Sequence, residues 1–189
     1  MTPEDLLIKE IGELLSVSAD DYSYTTLHRI KKQLETVPYI QYPVALHTVD
    51  MIPYRFPTTG GLEVLLGRKS FREQFQFLGG FVDPKDSAEK AAVRELKEET
   101  SETIVVEESD LEYLGSFFID DYRYKTSCHK VSTSLFMVEI VNNKKVKHGD
   151  DIEEVKWFLL EELNEVNLIG EHIQLLNCFK TEIEKSENE

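Results

Sequence analysis

The sequence has little cysteine and no long apolar segment. Among its 189 residues only Cys128 and Cys178 are cysteines, and their spacing matches neither a disulfide framework nor a zinc site. No run approaches the roughly eighteen apolar residues of a membrane span. Residues 1–10 lack the basic and then apolar pattern of a signal peptide. We therefore predict a cytoplasmic protein with free thiols and no membrane partner.

Positive charge is also scarce in this chain. It has 21 Lys and Arg residues against 36 Asp and Glu residues, which gives a formal net charge of −15. This excess repels the phosphate backbone of nucleic acids and the anionic surface of membranes, so the composition predicts that neither is a partner. If the substrate is itself an anion, divalent cations are the natural means of bringing it to an acidic protein.

Helical and strand patterns divide the chain into three parts. Apolar residues recur at helical spacing up to Val37, which predicts an N-terminal helical extension over residues 1–38. Its amphipathic helices would cover a sheet face or build a homodimer. Residues 39–184 form the predicted main domain, and residues 185–189 are predicted to be a frayed tail.

Strand and helix patterns alternate within the predicted main domain. The predicted strands cover residues 42–54, 62–69, 111–119, 131–140 and 155–158, and the predicted helices cover residues 87–100 and 160–183. Strands before and after a central helix, with another helix at the end, predict an α+β fold in which an α/β/α sandwich surrounds a mixed sheet.

The most informative segment covers residues 79–101 and reads GGFVDPKDSAEKAAVRELKEETS. In its predicted helix Glu95, Glu98 and Glu99 share one face, because residues three and four apart lie on the same side. Neighbouring carboxylates repel each other, and a hard divalent cation such as Mg²⁺ or Mn²⁺ would remove that repulsion. Taken alone, the hexapeptide RELKEE is more often a solvated helix face.

Further residues of the same segment bear on this alternative. Arg94 lies where it could orient a carboxylate through charge-assisted hydrogen bonds. Asp86 or Ser87 is the predicted N-cap of the helix. Before the helix, Gly79 and Gly80 allow the backbone to approach a metal or phosphate closely.

With this spacing the segment resembles the Nudix box, G-x5-E-x7-R-E-U-x-E-E-x-G-U, in which U is aliphatic. The matching residues are Gly80, Arg94, Glu95, Leu96, Glu98 and Glu99. Three positions depart from the pattern: Asp86 replaces the first glutamate, Ser101 the last glycine, and Glu102 the last aliphatic residue. The chain thus resembles the Nudix hydrolase family from Val44 to about Phe179.

The resemblance implies a Nudix fold and a Mg²⁺-dependent pyrophosphohydrolase, with Mn²⁺ as a possible substitute. Such an enzyme cleaves a nucleoside diphosphate linked to another moiety. The implied metal ligands are Glu95, Glu98, Glu99 and the carbonyl of Gly79, while Arg94 would position Glu95. Arg94, Glu95 and Glu98 are therefore expected to be catalytic.

Many family members use a further acid from a loop after the box, as a base or as a metal ligand. Here the segment GDDIEEV, predicted to precede the last strand, offers Asp150, Asp151, Glu153 and Glu154. We select Glu153 as the expected catalytic residue because it lies nearest the middle of the cluster. A solvated acidic loop is the alternative.

The predicted substrate is a small nucleotide-type molecule, with ADP-ribose first and other nucleotide sugars next. Tyr122 and Tyr124 could stack on a base, and Arg68 and Arg123 could bind phosphate or ribose. Packing and solvated roles are the alternatives for these four residues. The alternative for the whole protein is a catalytically weak Nudix-fold module that binds a nucleotide and has a regulatory role.

Overall fold

The computed structural model describes residue 9 and residues 43–126, 128–141 and 145–186. The chain divides into two units, Met1–Tyr42 and Pro43–Glu189. The helices predicted within residues 1–38 lie outside the described residues, as do residues 187–189 of the predicted tail.

The described part of the second unit contains five strands and two α-helices. The strands are β1 (Ala45–Arg55), β2 (Glu63–Lys69), β3 (Glu112–Ile119), β4 (Lys130–Glu139) and β5 (Ile152–Leu159), and the helices are α1 (Ala88–Glu99) and α2 (Ile173–Ser186). The strands form one sheet in the order β3-β4-β1-β2-β5. Strands β1 and β4 run parallel, and the other neighbours run antiparallel. The predicted mixed sheet is confirmed.

The two helices cover opposite faces of this sheet. Successive residues of a strand point to opposite faces, so Leu65 packs with Ala92 and Leu96 of α1, while Leu66 packs with Phe179 of α2. Each face thereby buries its own apolar cluster. The result is the α/β/α sandwich that the sequence predicts.

Strands β1 and β2 separate along their length, and this separation positions the site. They pair only at Tyr54 with Val64 and at Arg55 with Glu63. Beyond these pairs, residues 76–81 fill the gap. The N–H of Met51 in β1 donates to Leu78 O at 2.7 Å, and the N–H of Gln76 donates to Gly67 O in β2 at 2.8 Å. The chain that leads into α1 is therefore held inside the sheet.

The last predicted helix is wrong over its first half. Only two short 3-10 turns, Leu160–Glu162 and Gly170–His172, precede α2. Between them the N–H of Val166 donates to the side chain of Asn164 at 2.8 Å, and Leu168 forms a bridge with Phe75. Asparagine side chains that bond to nearby backbone favour turns over helix. The apolar residues of this segment therefore reach the core from turns, although their spacing is helical.

Two further boundaries differ from the sequence prediction. Strand β5 begins at Ile152 rather than residue 155, so Glu153 and Glu154 lie in the strand and not before it. The pairing of Arg68 with Glu154 in β2 and β5 extends the ladder to these residues. Helix α2 continues to Ser186, inside the predicted tail.

Candidate active site

Two adjacent glycines bring the backbone against the glutamates of α1. Gly79 has a φ of 154°, and a Cβ at this position would lie 2.0 Å from Val49 O. A Cβ on Gly80 would lie 2.5 Å from the carboxylate of Glu95. Only residues without a side chain allow these approaches. The Glu95 carboxylate consequently lies directly against the backbone of Gly80.

Helix α1 begins with a side-chain cap at Ser87. The Ser87 hydroxyl accepts a hydrogen bond from the N–H of Lys90 at 3.1 Å. Asp86 instead pairs with the ammonium of Lys90 at 2.5 Å. The hydrogen bond from Lys90 holds the pKa of Asp86 below its ordinary value. Of the two predicted caps, Ser87 is the one observed.

Arg94 connects two of the helix glutamates. One guanidinium nitrogen donates to Glu95 at 2.7 Å and to Glu98 at 3.2 Å. A second nitrogen donates to Phe81 O at 3.0 Å. The third, Nε, is buried without a hydrogen-bond partner among the described residues and lies 3.6 Å from Asp86. Arg94 therefore fixes both glutamates but does not reach Asp86 within hydrogen-bonding distance.

Glu99 is the most buried of these carboxylates, with 1% of its surface exposed. It accepts a hydrogen bond from the N–H of Gly79 at 2.7 Å. Burial raises its pKa well above the ordinary value, the charges of Glu95 and Asp151 add to this, and Gly79 and Lys69 oppose it. Burial is also the main cause of the raised pKa of Glu95. A cation beside them would stabilise both ionised forms.

An acidic loop is attached to the end of α1. The hydroxyl of Ser101 donates to His148 O at 2.6 Å, and the N–H of Gly149 donates to Glu99 O at 2.8 Å. A Cβ on Gly149 would lie 2.3 Å from Glu98 O, so only glycine fits at this contact. Ser101, where the Nudix box has glycine, is in the left-handed region with φ 45°. Its hydroxyl thus gives this departure a structural role.

The residues after this contact enter a cavity. Asp150 adopts a left-handed φ of 49°, which turns the chain after Gly149. Asp150 and Asp151 both line a cavity of about 390 Å³, and Asp151 pairs with Lys69 of β2. Ser101 and Gly149 therefore hold two carboxylates at the same cavity as Glu95.

The cavity is strongly acidic. Eight Asp or Glu residues line it against four Lys or Arg residues, Lys69, Arg72, Arg94 and Arg123. An anionic diphosphate would be repelled by this surface unless a cation accompanied it. Among the described residues, no three His, Cys, Asp or Glu side chains already converge in a metal-binding arrangement. The oxygen donors and the raised pKa values of Glu95 and Glu99 nonetheless fit a hard divalent cation.

Some of the predicted site residues meet at this cavity. The cavity is lined by Gly79, Arg94, Glu95 and Glu99. Glu98 does not line it; its side chain is exposed on α1 and contacts Arg94. The cavity thus brings together the backbone glycine and two of the three box glutamates.

Three of the predicted substrate-binding residues lie in the 3-10 turn Tyr122–Tyr124, and only two of them reach the cavity. Tyr122 and Arg123 line the cavity, whereas Tyr124 packs against the apolar cluster under α2. The guanidinium of Arg123 is held by Asp121 at 2.6 Å and lies 5.1 Å from the ring centroid of Phe81. One aromatic ring and one cation of the predicted set are therefore available to a ligand.

Arg68 and Glu153 do not line the cavity. The guanidinium of Arg68 lies 2.9 Å from the carboxylate of Glu154 and 3.4 Å from that of Glu153. Because strand residues alternate between faces, the cavity receives the next residue of β2, Lys69, instead. Extension of β5 through Glu153 likewise takes this carboxylate away from the acidic loop.

Sequence reasoning assigned no site role to two buried ionisable residues of the cavity, Asp50 and His172. A single acid inside the apolar run VDMI of a predicted strand was a usable signal for Asp50. No local pattern distinguishes His172 from a histidine that only packs.

Comparisons with known proteins identify the fold and a related sequence. The family model described as NUDIX domain matches residues 47–177. NAD-capped RNA hydrolase NudC of Pseudomonas putida is 32% identical over 110 residues, which is 56% of this chain and 35% of NudC. The chain therefore spans about a third of the length of the curated relatives it matches.

Two solved structures share the fold. The NUDIX domain of Shewanella oneidensis NrtR, complexed with ADP ribose, has a TM-score of 0.63 at 21% identity, over 80% of this chain and 97% of that one. A bifunctional NMN adenylyltransferase/ADP ribose pyrophosphatase from Francisella tularensis, complexed with AMP and a Mn ion, has a TM-score of 0.58 at 17% identity, over 87% of this chain and 55% of that one.

Two of the predictions concern partners, a membrane and nucleic acids. Within residues 43–126, 128–141 and 145–186, no helix is long and apolar enough to cross a membrane. The name of the Pseudomonas relative includes RNA. The exclusion of nucleic acids, which rests on net charge, therefore stays a prediction.

Proposed function

The chain belongs to the NUDIX domain family, and we propose that it hydrolyses the P–O–P bond of a nucleoside diphosphate linked to another moiety, with a divalent cation as cofactor. The observation that carries this proposal is the approach of Glu95 and Glu99 to the Gly79–Gly80 backbone at an acidic cavity. Two carboxylates with raised pKa values at one cavity indicate a functional site rather than a solvated helix face.

The proposed cofactor is Mg²⁺, with Mn²⁺ as a substitute. Its proposed ligands are Glu95, Glu98, Glu99 and the carbonyl oxygen of Gly79. A bound divalent cation supplies charge neutralisation for the diphosphate and polarises the attacked phosphorus. The side chain of Arg94 holds Glu95 and Glu98 in place, and the N–H of Gly79 holds Glu99.

The proposed reaction is attack of water on one phosphorus of the diphosphate. The oxygen of water bonds to phosphorus, the bond to the bridging oxygen breaks, and water gives up a proton. Asp150 and Asp151 are the proposed acceptors of this proton because they line the cavity, in place of Glu153, which lies in β5. The products are a mononucleotide and a second phosphate compound.

ADP-ribose is the proposed substrate, and other nucleotide sugars are next. The Shewanella domain is complexed with ADP ribose, and the Francisella protein is named an ADP ribose pyrophosphatase. In this chain Tyr122 offers an exposed ring at the cavity for stacking, and Arg123 and Arg72 offer cations to phosphate. Arg72 lies 5.0 Å from the ring centroid of Tyr122, which places cation and ring together.

A nucleotide-binding module with weak catalysis is the second candidate. It is favoured by the 3.6 Å gap between Asp86 and Arg94, since a loosely held arginine would position Glu95 and Glu98 less firmly. Such a module would bind the same ligands at the same cavity without turning them over.

The first test compares two glutamates on one helix. Purified protein with Mg²⁺ is incubated with ADP-ribose, nucleotide sugars, NADH, dinucleoside polyphosphates and an NAD-capped RNA oligonucleotide, and the phosphate products are measured. Glu98→Gln is expected to lower turnover about a hundredfold or more, because it removes a proposed ligand. The side chain of Glu98 is 52% exposed, so folding should be preserved.

Glu89→Gln is the matched control, since Glu89 is an exposed glutamate in the first turn of α1. It should keep wild-type turnover, and a chelator should abolish turnover in both the wild-type protein and Glu89→Gln. Full activity of Glu98→Gln, or activity in the chelator, would contradict the proposal. Saturable nucleotide binding without any turnover would favour the binding module.

A further inference from the structure

The wall of the cavity on the α2 side of the sheet contains a buried acid and a buried histidine. Asp50 lies in β1 between Val49 and Met51, which pack under α1, so its side chain points to the opposite face. His172 comes from the turn that leads into α2. Each residue is 7% exposed, and both line the cavity.

Hydrogen bonding fixes which nitrogen of His172 carries the proton. The N–H of Phe77 donates to Nδ1 of His172 at 3.0 Å, so Nδ1 presents a lone pair. Burial lowers the pKa of His172, which favours the neutral ring. A neutral imidazole whose Nδ1 accepts a hydrogen bond carries its proton on Nε2. His172 therefore presents a hydrogen-bond donor at Nε2.

Asp50 presents an acceptor beside this donor. The hydroxyl of Thr133 donates to Oδ2 of Asp50 at 2.7 Å, while Oδ1 lies 3.6 Å from Nε2 of His172, too far for a good hydrogen bond. Neither Oδ1 nor Nε2 has a hydrogen-bond partner, and yet neither is fully buried, because among the described residues Nε of Arg94 is the only fully buried side-chain nitrogen or oxygen without a partner. Since both residues line the cavity, Oδ1 and Nε2 are accessible from it and can bond to a ligand.

The surroundings of this pair define the ligand chemically. Ile119, Val131 and Ile169 line the same cavity, and the first two are paired neighbours in β3 and β4 that lie beside Thr133. Arg72, Asp121 and Glu171 also line the cavity, and the apolar side chains beside the polar edge of Asp50 and His172 suit a flat ring. The carboxylate of Asp50 repels phosphate, so the diphosphate belongs at the other wall, where the proposed cation binds.

We propose that Asp50 and His172 recognise a nucleobase by an edge on which a hydrogen-bond donor lies beside an acceptor, as the 6-amino group and N1 of adenine do. The amino group would donate to Oδ1 of Asp50, and N1 would accept from Nε2 of His172. Hypoxanthine reverses both roles, because it has an oxygen at position 6 and a proton on N1. This inference rests on the proposed function, since it assigns one half of the same substrate.

The test begins with binding, which needs no turnover. Calorimetry with Mg²⁺ compares AMP, IMP and the 5′-monophosphate of purine riboside, which lacks the 6-amino group. AMP should bind about tenfold or more tightly than either, because each mismatch leaves a buried polar group unpaired. The ratio of kcat/KM for ADP-ribose and its hypoxanthine counterpart should show the same preference.

Two substitutions of His172 separate recognition from folding. In His172→Asn the amide oxygen can still accept from the N–H of Phe77, but the donor at the Nε2 position is lost. In His172→Gln the amide can reach the Nε2 position, but the acceptor for Phe77 is lost. We expect His172→Asn to lose the preference for AMP over IMP and His172→Gln to keep more of it, while His172→Gln melts at a lower temperature.

Asp50→Asn supplies a second, independent variant. Its amide oxygen can still accept from Thr133, and its amide nitrogen replaces the acceptor with a donor. The preference for AMP over IMP should fall to near unity, with melting curves confirming a folded protein. A preference that survives in both Asp50→Asn and His172→Asn would overturn the inference.

The remaining outcomes distinguish this inference from the proposed function. Equal binding of AMP and IMP, with normal hydrolysis of ADP-ribose, would overturn the inference and leave the function intact. A preference for AMP that depends on Asp50, without hydrolysis, would support the inference and reject the function. Absence of any nucleotide binding would overturn both.

Discussion

The two walls of the cavity differ in how the chain builds them. One wall, here the carboxylate wall, is formed by Gly79, Glu95, Glu99 and the attached acidic loop. The opposite wall combines residues of β1, β3, β4 and the turn before α2. The carboxylate wall concentrates negative charge, whereas the opposite wall pairs one buried carboxylate, Asp50, with apolar flanks.

Each wall contains a buried carboxylate, and the partners of these groups explain the difference. Glu99 accepts a hydrogen bond from the backbone N–H of Gly79, and its charged neighbours include two other carboxylates, Glu95 and Asp151. Asp50 accepts a hydrogen bond from the hydroxyl of Thr133 and lies beside the buried ring of His172. Substitutions in the carboxylate wall should therefore change turnover, whereas those in the opposite wall should change base preference.

The largest effect expected within this comparison concerns the acidic loop. Asp150→Asn and Asp151→Asn, tested separately, should include at least one variant whose kcat falls about a hundredfold, because a general base would be lost. AMP affinity should stay at the wild-type value in both variants. Glu153→Gln is the control and should keep kcat, since Glu153 does not line the cavity and contacts Arg68. A large loss in Glu153→Gln alone would return the catalytic role to β5.

An intermediate effect is expected at Ser101, which connects the loop to α1. Ser101→Ala and Ser101→Gly remove the hydrogen bond to His148 O, and kcat should fall about three- to tenfold as the loop loosens, with KM little changed. Ser101→Thr keeps the hydroxyl and should retain more of the rate than Ser101→Ala, while its branched side chain at a left-handed φ should lower the melting temperature.

Stability separates this positioning role from backbone strain. Ser101→Gly relieves a left-handed conformation that costs about 1 kcal/mol, so it should melt at or above the wild-type temperature although it turns over more slowly. A glycine variant with full activity would show that the hydroxyl is not needed.

The smallest effect is expected at the start of α1. Asp86→Glu adds one methylene group and should close the 3.6 Å gap to Nε of Arg94, which is buried without a hydrogen-bond partner among the described residues. Tm should rise by about 2 °C, and turnover should rise slightly as Arg94 is held more firmly. Asp86→Gln has the same length without the charge and should give less than half of this gain. A fall in Tm for Asp86→Glu would show that the longer side chain does not fit.

Periodic patterns predicted most of the fold. Runs of strand-forming residues between turn signals identified the five described strands, β5 with its start three residues too late, and helical spacing identified α1 almost to the residue. The same spacing misled over residues 160–172, because Asn164 bonds locally to the backbone and Leu168 pairs with Phe75. A helical pattern of apolar residues cannot by itself exclude turns whose side chains reach the same core.

The site likewise contains residues that local sequence patterns predicted and residues that they did not. The sequence by itself determined the part of the carboxylate wall within residues 79–101, because helix geometry relates residues so close in the chain, whereas the contribution of Asp150 and Asp151 came from the tertiary structure. Only the tertiary structure decided that Lys69 rather than Arg68, and Tyr122 rather than Tyr124, faces the cavity. Such choices depend on strand register and turn geometry.

The opposite wall was decided by the tertiary structure alone. Asp50 and His172 are separated by more than a hundred positions in the sequence, and their side chains meet only because α2 covers the face of β1 to which Asp50 points. A local pattern cannot encode such a meeting. Chain packing brings the two residues together, and burial then gives their donor and acceptor a chemical role.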